Sequence, residues 1–269
     1  MDTIGFIGAG NMAEALIKGI IKSNICKPKN IMVNDIRSER LEYMARQYHV
    51  QAVTNSAALA GSVDALVLSV KPQNMANVLF AIESAVRDST LVISIAAGIK
   101  IDEITAGIGD KPIIRVMPNT PALIGEGASA LFANIRARSL MDRAMRIFSS
   151  IGRTVIVDNE DLIDVVTAIS GSGPAYFFLL MEEMIRTAYE MGLPPEIAKI
   201  LVLQTAKGAA LLAVERDKYS ESPSELRRKV TSPGGTTEAA LKVFTANNFS
   251  QLVTEALTAA RNKSKDLSG

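Results

Sequence analysis

Short apolar runs rich in β-branched residues alternate with helix-length amphipathic segments from residue 3 to about residue 157. Continuous apolar runs of this kind are typical of parallel strands buried on both faces, and the helical segments between them supply the crossovers. The pattern therefore predicts an α/β fold with a doubly wound, parallel sheet. The predicted strands cover residues 3–7, 30–33, 65–70, 91–95, 113–116 and 154–157.

Beyond Asp158 the strand-like runs stop and only helix-period segments follow, so the second part of the chain is predicted to be all-helical. We expect two domains, residues 1–160 with the sheet and residues 161–269 with the helices. The helical domain carries broad apolar faces that it cannot cover by itself, which predicts burial against a second subunit. The predicted helices cover residues 161–169, 174–191, 195–215, 223–230, 235–246 and 249–265.

Composition and charge narrow the class of partner. The chain has 29 Lys and Arg against 28 Asp and Glu, so no global field draws it to nucleic acid, and a small-molecule partner is expected. Cys26 and His49 are the only residues of their types, which excludes an intramolecular disulfide, predicts no metal site and favours a reducing cytoplasm. The N-terminal residues are typical of a strand rather than a signal peptide, and charges interrupt the later apolar stretches. We therefore expect no membrane segment.

The segment Gly8-Ala9-Gly10-Asn11-Met12-Ala13 follows the first predicted strand directly and opens a helix. Gly8 permits a tight turn, Gly10 lets the backbone approach a pyrophosphate, and Ala13 allows helix and strand to pack closely. The alternative is an ordinary glycine turn. With the strand before it, the helix after it and an acidic residue at the end of the second strand, the segment predicts a Rossmann-type dinucleotide site.

Asp35 and Arg37 give opposite indications about the cofactor. Asp35 ends the second strand, where a carboxylate would bond the ribose 2′-hydroxyl of NADH and repel the 2′-phosphate of NADPH. The Arg37 guanidinium would instead hold that phosphate. Both residues are also explained as solvated side chains after a strand, so the pattern leaves the choice between NADH and NADPH open.

Two further segments end predicted strands at the carboxyl edge of the sheet, where open α/β sheets bind ligands. They are Lys71-Pro72 and Ala96-Ala97-Gly98. Small residues there would let a nicotinamide ring lie close to the backbone; alternatively, Gly98 only ends a strand and Lys71 faces solvent. Asn55 lies in a loop on the expected adenosine side.

A turn of small residues, Val230-Thr231-Ser232-Pro233-Gly234-Gly235-Thr236-Thr237, leads into a predicted helix. Free amides at such a helix start bind a carboxylate without an arginine, and the hydroxyls of Thr236 and Thr237 add hydrogen bonds. The alternative is a helix cap, since Ser or Thr ahead of Glu238 is a common capping arrangement. Two consecutive glycines exceed what a cap requires, so the pattern favours a substrate site.

A second compact segment, Ser170-Gly171-Ser172-Gly173-Pro174-Ala175-Tyr176, ends one predicted helix and begins another. Either close helix packing or substrate contact accounts for it. His49 is far in sequence from both glycine segments and is predicted to be a surface residue. The scarcity of His and Cys is no objection to an enzyme, since a nicotinamide carries the hydride chemistry and the protein mainly orients it.

Together these segments resemble the pyrroline-5-carboxylate reductase family over essentially the whole chain. The matching blocks follow that family's order, and the last is the most diagnostic. They are Gly5-Phe6-Ile7-Gly8-Ala9-Gly10-Asn11-Met12-Ala13, Val70-Lys71-Pro72, Ala96-Ala97-Gly98, Val116-Met117-Pro118-Asn119-Thr120-Pro121, Ser170-Gly171-Ser172-Gly173-Pro174-Ala175-Tyr176 and Thr231-Ser232-Pro233-Gly234-Gly235-Thr236-Thr237.

The resemblance implies reduction of L-1-pyrroline-5-carboxylate to L-proline, the last step of proline biosynthesis, with NADPH or NADH as donor. It implies that Thr237 is the catalytic residue near the ring nitrogen, and that the chain forms intertwined homodimers, often five dimers in a decamer. Lys229 stands where relatives often have an amide side chain. The implied substrate contacts are Ser232, Gly234, Gly235, Thr236, Thr237 and Glu160, and the implied cofactor contacts are Ala9, Asn11, Met12, Asn34, Asn55, Val70, Lys71 and Ala97.

Two other functions stay open. A hydroxyacid dehydrogenase on the same two-domain plan usually has a lysine early in its helical domain as general acid or base, and no lysine lies between Arg153 and Lys199. A non-catalytic nucleotide sensor would keep the sheet but has no need of the Ser-Pro-Gly-Gly-Thr-Thr turn.

Overall fold

The structure, a computed structural model, describes residues 3–267. Its strands form a single sheet. The strands are β1 (Ile4–Ile7), β2 (Ile31–Asn34), β3 (Gln51–Ala52), β4 (Ala65–Leu68), β5 (Leu91–Ser94), β6 (Ile113–Met117), β7 (Gly127–Ala133) and β8 (Gly152–Ile156). Their spatial order is β3-β2-β1-β4-β5-β6-β7-β8.

The first six strands are parallel neighbours in the order 3-2-1-4-5-6, which is the doubly wound order of dinucleotide-binding domains. The predicted fold class is therefore confirmed. Strand β7 runs antiparallel to β6, with Met117 opposite Ala130, so the sheet is predominantly rather than wholly parallel. Strand β8 then pairs parallel to β7 and completes the sheet.

The hydrophobic pattern failed to predict two of the strands, for different reasons. Strand β3 has only two residues, and both are exposed, so no apolar run marks it. Strand β7 has the sequence GASALFA, which contains no β-branched residue and reads as a loop or a helix. Local propensity failed at β7 because pairing with β6 and β8 supplies the stability of that strand.

Helices cover both faces of the sheet, and alternate strand residues belong to two separate apolar cores. Val67 packs in one core with Leu16 and Phe148, whereas Leu68 packs in the other with Leu79. The helices of this part are α1 (Asn11–Lys22), α2 (Ser38–Tyr48), α3 (Ser56–Ser62), α4 (Met75–Ile82), α5 (Ile101–Ile108), α6 (Met141–Ser149) and α7 (Leu162–Val166), with short 3-10 helices at Pro28–Asn30, Pro72–Asn74, Thr120–Ile124 and Ile135–Leu140.

The remaining described residues are helical, as predicted after Asp158. A π-helical turn, Thr167–Gly171, follows α7, so the helix expected over 161–169 changes its hydrogen-bond pattern halfway. The other predicted helices agree with the structure to within two residues at each end. They are α8 (Gly173–Glu190), α9 (Pro195–Asp217), α10 (Pro223–Lys229), α11 (Thr236–Ala246) and α12 (Phe249–Asp266).

Packing divides the chain into two compact units. The Rossmann unit contains described residues 3–174 and 259–267, and the helical unit contains residues 175–258. The predicted boundary at residue 160 follows the last strand, whereas the Rossmann unit extends further because α7 packs against β6 and β7. Residues 1 and 269, the outer limits of the predicted domains, lie outside the described residues.

Most apolar side chains of the helical unit are exposed. Ala198 and Val202 are buried, but Phe177 and Ile200 are each 65% exposed. A cavity of about 740 Å³ in this unit is lined by Phe244 and Phe249 among other residues, and none of residues 231–237 lines it. The unit therefore presents a large apolar surface and does not bury a core of its own size.

Two stretches, Leu162–Glu190 and Pro195–Asp217, are long and apolar enough to cross a membrane by length and composition. The expectation that charged residues make every apolar stretch too short is therefore wrong. Only 28% and 11% of their most apolar windows are buried, so burial within one chain does not explain their composition. Contact with another protein surface explains it equally well, because an apolar helix face needs cover from water in either setting.

Candidate active site

The turn after β1 requires glycine at its first position. Gly8 has φ +95°, and a Cβ there would lie 2.6 Å from the carbonyl oxygen of Ser69. The Ser69 hydroxyl donates to the Gly8 carbonyl at 2.6 Å, and the Gly8 amide donates to the carbonyl of Asn34 at 2.8 Å. The turn is thus fixed to the ends of β4 and β2.

The start of α1 leaves room and donors for an anion. Gly10 is the N-cap residue and makes no side-chain cap, so the first amides of the helix, at Asn11 and Met12, have no intrahelical partner. A Cβ on Gly10 would meet no protein atom within 4 Å. Free amides, the positive helix end and this open space fit the pyrophosphate of a dinucleotide.

Arg40 reinforces the same turn, and the sequence analysis missed it. Its Nε donates to the Ala9 carbonyl at 2.5 Å, and its Nη2 is paired with Glu14. Tyr43 and Tyr48 also donate to Glu14, at 2.9 and 2.7 Å. Burial raises the pKa of Glu14, but these hydrogen bonds outweigh burial and hold its pKa below the usual value. No local motif predicts the role of Arg40, because its hydrogen-bond partners lie 26 to 31 residues away in the sequence.

Asp35 and Arg37 form an ion pair beside the turn. The Asp35 carboxylate accepts the Ala9 amide at 2.8 Å and the Arg37 Nε at 2.9 Å. Burial raises the pKa of Asp35, yet the hydrogen bonds from Arg37 and Ala9 keep its pKa below the usual value. The Asp35 side chain is 7% exposed and that of Arg37 is 53% exposed, so they are not two independent solvated residues.

The two predicted asparagines have structural partners. The Asn34 amide donates to the Val53 carbonyl at 2.8 Å, and the residue is 8% exposed. Asn55 caps α3 by accepting the Ala58 amide at 2.9 Å and is itself exposed. Contact of either with a cofactor stays a prediction.

The carboxyl ends of β4 and β5 carry the remaining predicted cofactor residues. Val70 and Pro72 are half-buried and Lys71 is exposed, so the lysine is open to a ligand. After β5, Ala96 and Gly98 are buried and Ala97 is half-buried. Gly98 has φ +75°, and a Cβ there would lie 2.8 Å from the Cβ of Leu267. The backbone of this loop therefore packs closely against the end of α12. Gly98 thus does more than end a strand.

A buried charge network is centred on β6, the strand next to β5. Arg115 on β6 is 1% exposed; its Nη1 donates to Glu160 at 3.1 Å, and its Nη2 lies 3.9 Å from Asp164. Glu160 Oε1 also accepts the amide of Ile101, the first residue of α5, at 2.9 Å. Ser264 on α12 donates to Asp164 at 2.7 Å. The network therefore joins β6, α5, α7 and α12.

Glu160 is the one predicted substrate residue that belongs to the Rossmann unit. Both of its described hydrogen bonds are made by Oε1, and its side chain is 19% exposed. The sequence pattern singled out neither Arg115 nor Asp164, because a charged residue inside an apolar strand or helix has no local signature that reveals a distant partner.

The glycine turn of the helical unit opens α11 without a side-chain cap. Gly235 is the N-cap residue, and Gly234 has φ +70°, which favours glycine. The Gly235 amide closes a turn on the Ser232 carbonyl at 3.0 Å. Cap formation by a Ser or Thr hydroxyl, the alternative interpretation, is therefore wrong here. The amides of Thr236 and Thr237 remain available at the helix start.

The Thr231 hydroxyl donates to the Arg227 carbonyl at 2.6 Å, whereas the later hydroxyls of the turn are open. Ser232 and Thr236 are exposed and Thr237 is half-buried. Within residues 3–267 the Thr237 hydroxyl makes no hydrogen bond. Glu238 reaches back to the Gly234 amide at 2.8 Å, so a carboxylate already binds one amide of the turn. The Gly234 amide thus donates to a carboxylate oxygen within the chain itself.

Lys229, at the end of α10, forms an ion pair with Glu221. The Glu221 side chain is 14% exposed and also lies 3.9 Å from Arg216. The pair fastens the residues just before the glycine turn to the loop that follows α9. Lys229 is thus held by Glu221 in this structure.

The segment from Ser170 to Tyr176 spans the π-helical turn and the start of α8. Asn119 donates to the Ser170 carbonyl at 3.0 Å and accepts the Ala128 amide at 2.8 Å. A Cβ on Gly171 would lie 2.5 Å from the Met117 methyl. Close packing therefore accounts for Ser170 and Gly171, and π-helical turns are frequent at functional sites.

Neither of the remaining chemical candidates forms a site. His49 is exposed at the end of α2, as predicted. Over residues 3–267, no cluster of three His, Cys, Asp or Glu side chains is arranged to hold a metal ion.

The doubly wound sheet, the glycine turn and the open start of α1 define a dinucleotide-binding protein of the Rossmann class. Residues 3–98 match the family of NADP oxidoreductases described as coenzyme F420-dependent, and residues 160–267 match the pyrroline-5-carboxylate reductase dimerisation family. The chain belongs to the pyrroline-5-carboxylate reductase family and is an NAD(P)H-dependent oxidoreductase.

Relatives match the chain over its full length. The pyrroline-5-carboxylate reductase of Pseudomonas aeruginosa is 44% identical, covering 98% of this chain and 96% of that protein. The enzyme of Haemophilus influenzae is 40% identical, covering 98% and 97%. Among solved structures, pyrroline-5-carboxylate reductase from Coxiella burnetii has a TM-score of 0.93 at 38% identity, covering 100% and 99%. Plasmodium falciparum pyrroline carboxylate reductase with NADP bound has a TM-score of 0.87 at 35% identity, covering 99% and 98%.

Proposed function

We propose that the protein reduces L-1-pyrroline-5-carboxylate to L-proline, the last step of proline biosynthesis. The observation that carries this proposal is the turn at the start of α11, which has no side-chain cap and has an amide that donates to a carboxylate, in a chain of which 98% matches a reductase of that name. A reduced nicotinamide supplies a hydride to the imine carbon, and one proton at the ring nitrogen completes the amine. The chain itself binds and orients the cofactor and the substrate. Its residues also supply the proton or hold it at the ring nitrogen.

The Rossmann unit would hold the cofactor at three places. The amides after Gly10 bind the pyrophosphate, the residues after β2 bind the adenosine ribose, and the edge formed after β4 and β5 lies against the nicotinamide. The proposed contacts are Gly8, Ala9, Gly10, Asn11, Met12, Asn34, Asp35, Arg37, Asn55, Val70, Lys71, Pro72, Ala96, Ala97 and Gly98.

The turn of the helical unit would hold the substrate carboxylate through backbone amides. Amides at a helix start carry partial positive charge, so they bind an anion without a basic side chain. Glu238 makes this contact within the chain, and the substrate carboxylate would compete with it. The proposed contacts are Ser232, Gly234, Gly235, Thr236 and Thr237.

Thr237 would act on the ring nitrogen, and Glu160 is a further proposed substrate contact. A hydroxyl with no partner in the described chain can accept a hydrogen bond from the protonated imine or relay a proton from water. Glu160 Oε1 is committed to Arg115 and Ile101, which leaves Oε2 for a cationic imine. A protonated imine accepts hydride more readily than a neutral one, so both contacts favour the reaction.

The exposed apolar surface of the helical unit and the match of residues 160–267 to a dimerisation family support association of subunits, and the resemblance to the family is the source of the larger assembly. We propose a homodimer built through the helical units, with five dimers in a decamer as the larger assembly. We also propose a cytoplasmic location, where NAD(P)H is available and a single buried cysteine stays reduced.

The test is oxidation of NADPH or NADH by the purified protein. We expect absorbance at the reduced-nicotinamide band to fall only when pyrroline-5-carboxylate is present, with L-proline as product. Absence of turnover with both cofactors contradicts the proposal.

Two rival functions give different results in the same preparation. A hydroxyacid dehydrogenase oxidises a hydroxyacid with NAD(P)⁺ and does not form proline. A nucleotide sensor binds the dinucleotide but shows no coupled binding of L-proline with oxidised cofactor in calorimetry, whereas the reductase does.

A further inference from the structure

The last turn of α12 lies next to the loop that follows β5. Gly98, in that loop, would place a Cβ 2.8 Å from the Cβ of Leu267 and 3.0 Å from its carbonyl oxygen. Leu267 is 54% exposed, so its backbone and Cβ, rather than the end of its side chain, face the glycine. Its amide still donates to the Lys263 carbonyl at 3.1 Å. The helix therefore keeps its hydrogen bonds up to the point where it meets the loop.

A buried hydrogen bond fastens this turn of α12. Ser264 lies three residues before Leu267, on the same side of the helix, and is 3% exposed. Its hydroxyl donates to the Asp164 carboxylate at 2.7 Å, and the same carboxylate lies 3.9 Å from Nη2 of Arg115. The last residues of a domain are poorly ordered unless they are tied down. Ser264 ties this helix end to a carboxylate in the interior of the Rossmann unit.

The far side of the same loop is held through the other acidic partner of Arg115. Ile101, the first residue of α5, donates its amide to Glu160 Oε1 at 2.9 Å, and Arg115 Nη1 donates to that oxygen at 3.1 Å. The loop is thus held at Gly98 by α12 and at Ile101 by Glu160. Arg115 joins the two supports, because one of its nitrogens faces Glu160 and the other faces Asp164.

We propose that the last turn of α12 positions the loop that borders the nicotinamide, with Ser264 and Leu267 as positioning residues for hydride transfer. They act through the loop rather than by contact with cofactor or substrate. A displacement of about 1 Å at a reacting centre can cost on the order of 10²-fold in rate. Since Ala97 and Gly98 are the proposed neighbours of the ring, the position of the loop determines the position of the ring. This inference rests on the cofactor site proposed above.

Hydrogen exchange in the free protein tests the support without turnover. The two variants are Ser264→Ala and a chain that lacks residues 267–269. We expect amides of residues 97–101 to exchange at least about fivefold faster in both variants, and those of β1 to be unchanged. The matched control is Thr254→Ala, which removes a hydroxyl that bonds within α12 itself. Unchanged exchange in both variants, or equal acceleration in the control, overturns the proposal.

A split between rate and binding separates positioning from a general loss of structure. We expect both variants to lower the single-turnover rate of pyrroline-5-carboxylate reduction by about tenfold. The fragment 2′-phospho-ADP-ribose lacks the nicotinamide and reports on the rest of the cofactor site. We expect its affinity, measured by calorimetry, to stay within about twofold. An unchanged rate, or a fragment affinity that falls as much as the rate, contradicts the proposal.

Compensation between Gly98 and Leu267 locates the contact. In the natural chain, Gly98→Ala adds a Cβ against Leu267 and also strains a backbone with φ +75°. In the chain that lacks residues 267–269 only the strain remains. We therefore expect Gly98→Ala to slow the single-turnover rate by a smaller factor in the shortened chain. An equal factor in both chains contradicts the contact.

The proposed reaction and this proposal fail in different ways. If the natural protein does not reduce pyrroline-5-carboxylate, the proposed function is wrong, and hydrogen exchange still decides whether α12 holds the loop. If the natural protein is active and neither Ser264→Ala nor the shortened chain changes the rate, the reaction stands and the positioning role of α12 is wrong.

Discussion

The Rossmann unit and the helical unit solve the burial of apolar residues in opposite ways. The Rossmann unit encloses two cores, one on each face of its sheet, and its buried Arg115 is held by Glu160. In the helical unit only Ala198 and Val202 are buried apolar residues, although the helix Pro195–Asp217 is long and apolar enough to cross a membrane by length and composition. The hydrophobic pattern of a sequence therefore does not predict whether an apolar surface is buried within its own chain or against another molecule. The first unit covers its surface within one chain, and the second requires another molecule.

The largest expected effect comes from a charge on the exposed face of α9. We expect Ile200→Glu to abolish dimerisation, because an uncompensated buried charge costs about 3–5 kcal/mol and a homodimer contains two copies. Sedimentation at several concentrations measures the change in association. The control is Phe80→Glu, which changes a side chain of the Rossmann unit that is 82% exposed. Unchanged association of Ile200→Glu would show that this face is not the interface.

The next effect concerns the buried arginine of the Rossmann unit. We expect Arg115→Met to lower the free energy of unfolding by about 3–5 kcal/mol, because Glu160 and the fully buried Asp164 lose their compensating charge. Urea denaturation measures it. Arg136→Met breaks an exposed pair with Asp110 and should cost less than about 1 kcal/mol. Similar losses in the two variants would mean that the Arg115 network is not a significant source of stability.

The substrate turn gives a smaller effect that is confined to catalysis. We expect Thr237→Ala to remove roughly 1–3 kcal/mol of transition-state stabilisation, as expected for one buried hydrogen bond, with cofactor affinity nearly unchanged. Steady-state kcat/KM and nucleotide calorimetry measure the two quantities. Thr245→Ala, on the same helix, removes a hydroxyl that donates to the Leu241 carbonyl and serves as the control. An unaltered rate in Thr237→Ala removes that residue from the catalytic role.

The smallest effect is a dependence of stability on pH through Asp35. Its folded-state pKa is below its usual value of 3.8, because hydrogen bonds from Arg37 and Ala9 outweigh burial. Its contribution to stability is therefore complete above that value and is lost as the pH falls through the folded-state pKa. We expect Asp35→Asn to be less stable than the natural protein at neutral pH, and the difference to shrink in acid. A difference that grows as the pH falls would contradict the assigned direction.

The sequence predicted the elements whose pattern is local. Strands such as Ala65–Leu68 and the long helices of the second half carry their own periodicity, and the Gly8 and Gly234 turns carry the conformations that require glycine. Strand β7 was missed because antiparallel pairing, rather than its Ala- and Gly-rich sequence, makes it a strand.

The parts of the site that depend on distant partners could not be predicted. Arg40 reaches the Ala9 carbonyl across 31 residues, and Ser264 reaches Asp164 across 100 residues. Asp35 shows the same limit in another way: its position predicted a ribose contact, but the donors that occupy its oxygens are visible only in three dimensions. The types of residue therefore predicted where the site lies. Which donors already bind the Asp35 oxygens could be read only from the structure.

The most direct measurement follows one hydrogen atom. The purified protein would be incubated with pyrroline-5-carboxylate and NADPH that carries deuterium at the transferable position of its nicotinamide ring, and the product would be analysed by mass spectrometry and NMR. The account predicts L-proline with one deuterium on Cδ, the former imine carbon. Proline without deuterium, or no proline while the labelled cofactor stays intact, would contradict it.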